Sequence, residues 1–262
     1  MQYLFFDIEC CDGCHICSFG YVLTDEKFNI LEKKDIVINP EKPFGMGRDG
    51  FDPSKNLSYT EGVFLRAPNF TQAYKTIFDL LLQSGQKIVG HSVSSDFNYL
   101  RRACERYEMP LPNLDFYDTQ ILFALINNIP TKKRSMKNII ESLGLVINLS
   151  QHKSDDDADV VREILNRLCL NTNKTALELF DMYYQCRGFT KNGMVYVYDD
   201  KSKRPSEDDR AKDFIENHRL VKIVSVPSGE DGELVYSSDK ESKGTSLGDL
   251  FKSMGFKLDD KS

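Results

Sequence analysis

The chain has 262 residues, and its 34 basic and 40 acidic side chains leave a formal net charge of −6. At about 150 residues per domain this allows one or two domains, and the acidic balance argues against a protein that binds nucleic acid mainly through a basic surface. No apolar run reaches about 18 residues, so no membrane-spanning helix and no membrane partner are expected. The acidic first segment predicts no signal peptide. Seven cysteines, an odd number, favour reduced thiols and a cytoplasmic location.

The first part of the chain alternates strand and helix patterns. Residues 2–9 begin with a continuous apolar run, which predicts a central strand buried on both faces, and strands at 17–25 and 31–40 complete a meander. Helical spacing begins at Thr71 and ends at 84–85, a strand follows at 87–91, and the next helix ends at Pro110. Further helices are predicted at about 119–127, 135–144, 155–169 and 175–186. This order predicts an α/β domain with a mixed sheet over residues 1–187.

The remainder, residues 188–262, is predicted to be a linker and a small C-terminal region of unknown function. Residues 198–210 are polar and densely charged, which is typical of a linker or an exposed loop. Residues 219–226 and 233–238 flank a turn-rich stretch and predict a hairpin, and residues 246–256 predict a short helix.

Two carboxylates stand at the end of the first strand. Asp7 and Glu9 are two residues apart, so their side chains leave the same face of the strand, about 7 Å apart. Two anions at the end of a buried strand cost several kcal/mol unless a cation meets them. The alternative is that the strand ends at Ile8 and that both acids are solvated.

Two further segments place a histidine five residues before an aspartate. In the first, Asp96 follows His91 at the start of a predicted helix, where a plain N-cap is the alternative. In the second, Asp157 follows His152, and Ser154 and Asp157 also fit a capping box. Asp157 nevertheless shares one helical stripe with apolar residues, and a carboxylate on a buried stripe needs a partner.

Taken in order, D-x-E, H-x4-D and H-x4-D resemble the DEDDh group of 3′→5′ exonucleases. This DnaQ-like family includes the proofreading epsilon subunit of bacterial DNA polymerase III. The resemblance is carried by FDIEC (6–10), HSVSSDFNYLRR (91–102) and HKSDDDAD (152–159). Intervening stretches such as ICSFGYV (16–22), YDTQILFA (117–124) and SMKNIIESLGL (135–145) are also similar to the family, so the resemblance spans about residues 2–170.

The resemblance implies a ribonuclease H-like fold, with a mixed five-stranded sheet flanked by helices and followed by a small C-terminal extension. It implies two Mg²⁺ or Mn²⁺ ions that are held by four carboxylates. It also implies a histidine that acts as general base. Carried over by position, the metal ligands are Asp7, Glu9, Asp96 and Asp157, and the base is His152. All-oxygen ligands suit these hard cations, and an imidazole accepts a proton near neutral pH.

The implied activity is removal of nucleoside 5′-monophosphates from the 3′ ends of single-stranded nucleic acid, with DNA favoured and a role in proofreading or repair. Trimming of RNA ends is the alternative, because the catalytic set does not distinguish the two polymers. A second alternative is a non-catalytic module that binds nucleic acid or tethers the C-terminal region to a DNA polymerase or another protein.

Two groups of residues are weaker candidates for contact with nucleic acid. Lys132, Lys133 and Arg134 precede a predicted helix, where basic side chains can bind a phosphate backbone. The alternative is a solvated loop, which is the more common structure for such a run. Cys10 stands where the family commonly has threonine, at a position that the resemblance implies contacts the terminal nucleotide. The cysteine-rich stretch 10–17 also permits a zinc or iron–sulfur site at Cys11, Cys14, His15 and Cys17 as a minor alternative to packing.

Overall fold

The computed structural model describes residues 1–45, 52, 57–129, 135–147, 153–198 and 220–222. The strands are β1 Gln2–Cys10, β2 Ile16–Thr24, β3 Ile30–Val37, β4 Gln86–Gly90, β5 Leu114–Asp118, β6 Arg187–Lys191, β7 Met194–Tyr198 and β8 Leu220–Lys222. The helices are α1 Glu61–Phe64, α2 Phe70–Leu81, α3 Val93–Arg106, α4 Thr119–Ile126, α5 Met136–Ser142, α6 Ser154–Thr172 and α7 Ala176–Met182, with a 3-10 turn at Tyr184–Cys186.

All eight strands form one mixed sheet in the order β3-β2-β1-β4-β5-β6-β7-β8. β1 pairs in parallel with β4 and β4 with β5, whereas the other neighbours are antiparallel. The mixed α/β sheet is therefore confirmed, but the expected count of five strands is too low. β6, β7 and β8 extend the sheet beyond β5, because β6 pairs with the free edge of β5.

The extra strands begin where the first domain was predicted to end. β6 starts at Arg187 and joins β7 through Asn192 and Gly193, whose φ angles of 51° and 73° are those of a two-residue hairpin turn. β8 corresponds to part of the predicted strand 219–226, and it pairs with β7. Residue 198, the first of the predicted linker, ends β7. The rest of that linker, most of the C-terminal hairpin and the last helix lie outside the described residues, so the division at residue 187 stays a prediction.

The central position predicted for β1 is confirmed, because both of its faces are buried. Leu4, Phe6 and Ile8 face an apolar cluster that α2 and α3 complete. Tyr3 and Phe5 face a second cluster that includes residues of α4, α6 and α7. Side chains alternate along a strand, so Asp7 and Glu9 continue the row of Tyr3 and Phe5 on the α6 side.

α6 begins in direct contact with β2. Gly20 of β2 pairs with Asp7 of β1 on one side and with Asp35 of β3 on the other. A Cβ atom added at Gly20 would lie 2.0 Å from the backbone nitrogen of Asp155 and 2.0 Å from the carbonyl carbon of Ser154. The missing side chain therefore lets the first turn of α6 settle on the sheet beside Asp7.

Within the described part of the chain, no helix is both long enough and apolar enough to cross a membrane. All seven cysteines lie in that part and all are free thiols.

Candidate active site

Asp7 and Glu9 lie on the strand itself. β1 continues to Cys10, with Asp7 paired to Gly20 and Glu9 paired to Ser18, so the alternative that the strand ends at Ile8 is wrong. Both carboxylates are partly buried. The two side chains therefore leave the same face at the carboxyl end of the central strand.

Asp157 reaches the same point from α6. It lies in the first turn of that helix, and the residues that continue its stripe, Val161, Ile164 and Leu168, are buried. Oxygen atoms of Asp7, Glu9 and Asp157 lie within 4.8 Å of one another. The structure thus brings together three carboxylates that lie up to 150 positions apart in the sequence.

Asp96 completes the acidic cluster from α3. This helix begins at Val93, so Asp96 lies inside the first turn, and the alternative that it is the N-cap is wrong. Its side chain is only 5 % exposed. Burial raises the pKa of this carboxyl well above its ordinary value, and Asp118 and Glu9 raise it further, while a hydrogen bond from the backbone of Ile8 opposes the shift. The bond from Ile8 ties Asp96 to β1.

The electrostatics of Asp7 explain what the cluster needs. Burial raises the pKa of its carboxyl well above the ordinary value, and the negative charges of Asp96, Glu9 and Asp157 raise it further. Like charges at this separation repel strongly when little water screens them. A divalent cation would remove that penalty, and a set of hard carboxylate oxygens fits Mg²⁺ or Mn²⁺ better than Zn²⁺.

Asp118 is a structural residue of the site that sequence reasoning did not single out. Its carboxylate accepts backbone N–H bonds from Ser92 (3.1 Å) and Val93 (3.0 Å) at the start of α3. It also accepts from Gln120 (2.8 Å) and Ile121 (3.3 Å) at the start of α4. Burial raises the pKa of Asp118 to about 6 although these bonds oppose the shift. One carboxylate thus holds two helix starts together and sets the position of Asp96.

A hydroxyl and carboxylate network fixes the start of α6. Ser154 donates to Asp35 on β3 (3.1 Å) and forms a short hydrogen bond with Ser18 on β2. Burial raises the pKa of Asp35, whereas the bond from Ser154 opposes the shift. These contacts anchor the helix three residues before Asp157, and no short motif in the sequence pointed to Asp35.

His91 is buried and acts in packing rather than in the acidic cluster. Thr119 donates its hydroxyl hydrogen to the carbonyl of Gly90 (3.0 Å), so Nδ1 of His91 donates to the Thr119 oxygen (3.1 Å). Burial lowers the pKa of His91 to about 4. The imidazole is therefore neutral at pH 7 and connects the ends of β4 and β5.

The remaining predicted contacts divide into two groups. His152, Lys132, Lys133 and Arg134 lie outside the described residues, so their roles stay predictions. Cys10 is described, and its side chain is buried in the apolar cluster on the α2 and α3 side of the sheet. Phe97, for which packing was favoured over substrate contact, is fully buried and stacks on Phe116 with ring centroids 4.4 Å apart.

The cysteine-rich stretch splits into two environments. Cys11 and Cys17 are fully buried in an apolar cluster with Leu57 and Phe64. Cys14 and His15 instead lie beside Asp12. The site considered from the sequence, with Cys11 and Cys17 among its ligands, is not the grouping that the fold brings together.

Comparison with known proteins identifies a family and a fold. A family model described as exonuclease, RNase T, matches residues 4–165. No curated protein matches the chain.

Solved structures match at low sequence identity. A 3′-exonuclease, solved for 3′-end-specific recognition of a histone mRNA stem-loop, aligns with a TM-score of 0.62 and 16 % identity over 79 % of this chain and 72 % of that one. The nuclease domain of 3′hExo, a DEDDh family member bound to rAMP, aligns with a TM-score of 0.57 and 16 % identity over 66 % and 94 %. Exonuclease X in complex with 5′ overhanging duplex DNA aligns with a TM-score of 0.51 and 16 % identity over 70 % and 98 %. At this identity the likeness concerns the fold.

Proposed function

We propose that this chain, which belongs to the RNase T exonuclease family, is a 3′→5′ exonuclease that depends on two divalent metal ions. It removes nucleoside 5′-monophosphates from the 3′ ends of single-stranded nucleic acid. The observation that carries the proposal is that carboxylate oxygens of Asp7, Glu9 and Asp157 lie within 4.8 Å of one another. The charge of Asp96 also raises the pKa of Asp7, so a fourth carboxylate acts on the same cluster.

Asp7, Glu9, Asp96 and Asp157 would hold the two ions, which are Mg²⁺ or Mn²⁺. When bound, the ions supply a nucleophile at neutral pH and neutralise charge on the phosphate and the leaving oxygen. The charges of Asp96, Glu9 and Asp157 all raise the pKa of Asp7, so its carboxylate would gain most from the bound ions. Glu9 extends from the same strand, and Asp157 faces it from α6.

His152 is the proposed general base. It stands two residues before Ser154, the first residue of α6, whose hydroxyl is bonded to Asp35. A neutral imidazole there would accept the proton of the attacking water, because its ordinary pKa of about 6.5 lies close to physiological pH.

Lys132, Lys133 and Arg134 would contact the phosphate backbone just before α5, and Cys10 would contribute backbone contacts to the terminal nucleotide. Two ions would bring four positive charges to a place where four carboxylates carry four negative ones. The net charge of −6 is therefore compatible with nucleic acid as substrate.

We keep single-stranded DNA as the first substrate and RNA as the alternative. RNA is retained because the 3′-exonuclease in the first comparison was solved on a histone mRNA stem-loop. We further propose a cytoplasmic location, in keeping with the free thiols, and a docking role for residues 188–262 towards a polymerase or another protein.

A matched pair of variants tests the activity. Asp157→Asn removes a proposed ligand, whereas Asp156→Asn changes the neighbouring acid, which pairs with Lys33 (2.6 Å). DNA and RNA oligonucleotides of one sequence, labelled at the 5′ end, are incubated with Mn²⁺ or EDTA. We expect stepwise shortening by the native chain and by Asp156→Asn, and none by Asp157→Asn or in EDTA. Full activity of Asp157→Asn would refute the ligand assignment, and the faster polymer identifies the substrate.

A second experiment tests the base. His152→Ala should lower the turnover number strongly while the Mn²⁺ concentration for half-maximal rate stays the same, because the imidazole is not a ligand. An equal loss of turnover together with a large increase in the Mn²⁺ requirement would argue that His152 binds metal instead.

A further inference from the structure

The turn between β1 and β2 is organised by one aspartate. Asp12 Oδ1 accepts hydrogen bonds from the backbone nitrogens of Cys14 (3.0 Å) and His15 (2.8 Å). Gly13 between them has a φ of +78°, a conformation that glycine adopts without strain. Because Oδ1 holds the turn, Oδ2 is left to face the side chains that follow.

Three side chains of different chemistry meet over this turn. His15 Nδ1 lies 2.7 Å from Asp12 Oδ2 and 3.2 Å from Cys14 Sγ. The three donor atoms all lie within 4.8 Å of one another. The His15 side chain is 15 % exposed and that of Asp12 is 11 % exposed, so the group is sheltered but reachable from solvent.

We propose that Asp12, Cys14 and His15 bind one transition-metal ion of the Zn²⁺ class, at a site separate from the acidic cluster. A thiolate and an imidazole select Zn²⁺, Co²⁺ or Ni²⁺ over Mg²⁺, and a three-ligand set leaves a fourth position for water. Tetrahedral zinc would place sulfur about 3.6 Å from nitrogen and nitrogen about 3.4 Å from oxygen. The sulfur–nitrogen and nitrogen–oxygen contacts, now 3.2 Å and 2.7 Å, therefore need to open by less than about 1 Å to accept the ion.

Two cationic side chains lie near the site, and one of them, Lys42, competes with a metal ion for Asp12. Lys42 Nζ lies 3.2 Å from Asp12 Oδ2, and Arg106 near the end of α3 is close enough to influence His15. Lys42 is 51 % exposed, so its ammonium can leave Asp12 for water at little cost. Binding releases the Cys14 thiol proton and the Lys42 contact together. Removal of the Lys42 charge should therefore tighten metal binding, which is the opposite of the effect of removing a ligand.

The test uses Co²⁺ with the full chain in excess Mg²⁺, which is added to fill the acidic cluster as the proposed function expects. A thiolate bound to Co²⁺ gives a near-ultraviolet charge-transfer band that carboxylate ligands do not give. We expect one Co²⁺ per chain with this band, displaced by Zn²⁺. Cys14→Ser should abolish the band, and His15→Ala should weaken binding by more than the roughly tenfold to hundredfold that the loss of a supporting partner costs. Lys42→Ala should bind more tightly than the native chain.

Cys169→Ser is the matched control, since Cys169 is a free thiol near the end of α6, and it should keep the band. Absence of a charge-transfer band in the native chain, or its persistence in Cys14→Ser, would overturn the proposal. Circular dichroism without metal shows whether each variant is folded. If a ligand variant does not fold, the expected tighter binding of Co²⁺ by Lys42→Ala tests the proposal instead. The readout does not depend on nuclease activity, so the site can fail while the proposed function holds, and the reverse.

Discussion

Replacement of Gly20 by alanine should damage the active site without touching any proposed ligand. The new Cβ would lie 2.0 Å from the backbone nitrogen of Asp155 and 2.4 Å from the carbonyl oxygen of Ser154. Both are backbone atoms, so no side-chain rotation can relieve the contact. Ordinary contact begins at 3.4 Å, so the start of α6 must move by about 1.4 Å. That shift displaces Asp157 from Asp7 and strains the bond from Ser154 to Asp35.

The size of both effects follows from this displacement. A misplacement of about 1 Å in a catalytic geometry costs on the order of 100-fold in rate, or about 2.7 kcal/mol. Overpacking a tight contact costs about 1–3 kcal/mol of stability, which corresponds to a Tm lower by roughly 3–10 °C in a chain of this size. We therefore expect Gly20→Ala to fold, to lose about 100-fold in activity and to need more Mn²⁺ for half-maximal rate.

The assay is hydrolysis of a 5′-labelled oligonucleotide over a Mn²⁺ series, with Tm measured by circular dichroism. Gly62→Ala is the matched control, because its Cβ would meet only the side-chain tip of Arg66, at 3.3 Å. That variant should stay within about twofold of the native rate. Native rate and native Tm in Gly20→Ala would refute the argument that the helix start rests on this glycine.

The other predictions concern charge and pH. Asp7→Asn should lower the rate of hydrolysis by more than about 100-fold. Its Tm in EDTA should nevertheless equal or exceed the native value, because a neutral amide ends the repulsion that raises the pKa of this carboxyl. A clearly lower Tm would show that Asp7 stabilises the metal-free fold. The pKa of His91, lowered to about 4, means that the unfolded chain binds the proton first, so stability should fall as the pH drops from about 6.5 towards 4, by up to about 3 kcal/mol. His91→Asn should flatten that part of the pH profile in urea unfolding, and an unchanged slope would assign the loss to other groups. Addition of Mn²⁺ should raise the Tm of the native chain more than that of Asp157→Asn, measured by differential scanning calorimetry; equal shifts would place the ions elsewhere.

The parts of the site that the sequence predicted are those with local signals. Asp7 and Glu9 could be placed on one face because a strand alternates with a period of two, and the apolar run before them indicated burial. Asp157 was distinguished from its acidic neighbours by the apolar stripe that follows it, and the helix confirms that stripe.

What could not be predicted depends on contacts between distant segments. Asp118 lies at the end of β5, and its importance comes from backbone groups of Ser92 and Val93, some 25 residues earlier. Asp35 matters because Gly20 admits the start of α6 beside it. No spacing rule within one segment detects either arrangement.

The missed strands β6 and β7 are a different case. Asn192 and Gly193 form the dipeptide that most strongly favours a two-residue hairpin, and the MVYVY segment after them is apolar. The signal was present in the sequence, but it lies beyond the motifs that carry the family resemblance. Pairing of β6 with β5 then shows that the sheet extends past the expected five strands.

One time course tests the central claim, that four carboxylates hold two ions that cleave nucleotides from a 3′ end. A single-stranded oligonucleotide labelled at its 5′ end is incubated with the native chain and Mn²⁺, and the products are resolved to one nucleotide. We expect a ladder that shortens from the 3′ end, with nucleoside 5′-monophosphates released and EDTA stopping the reaction. Internal cleavage, or hydrolysis that continues in EDTA or in Asp157→Asn, would contradict it.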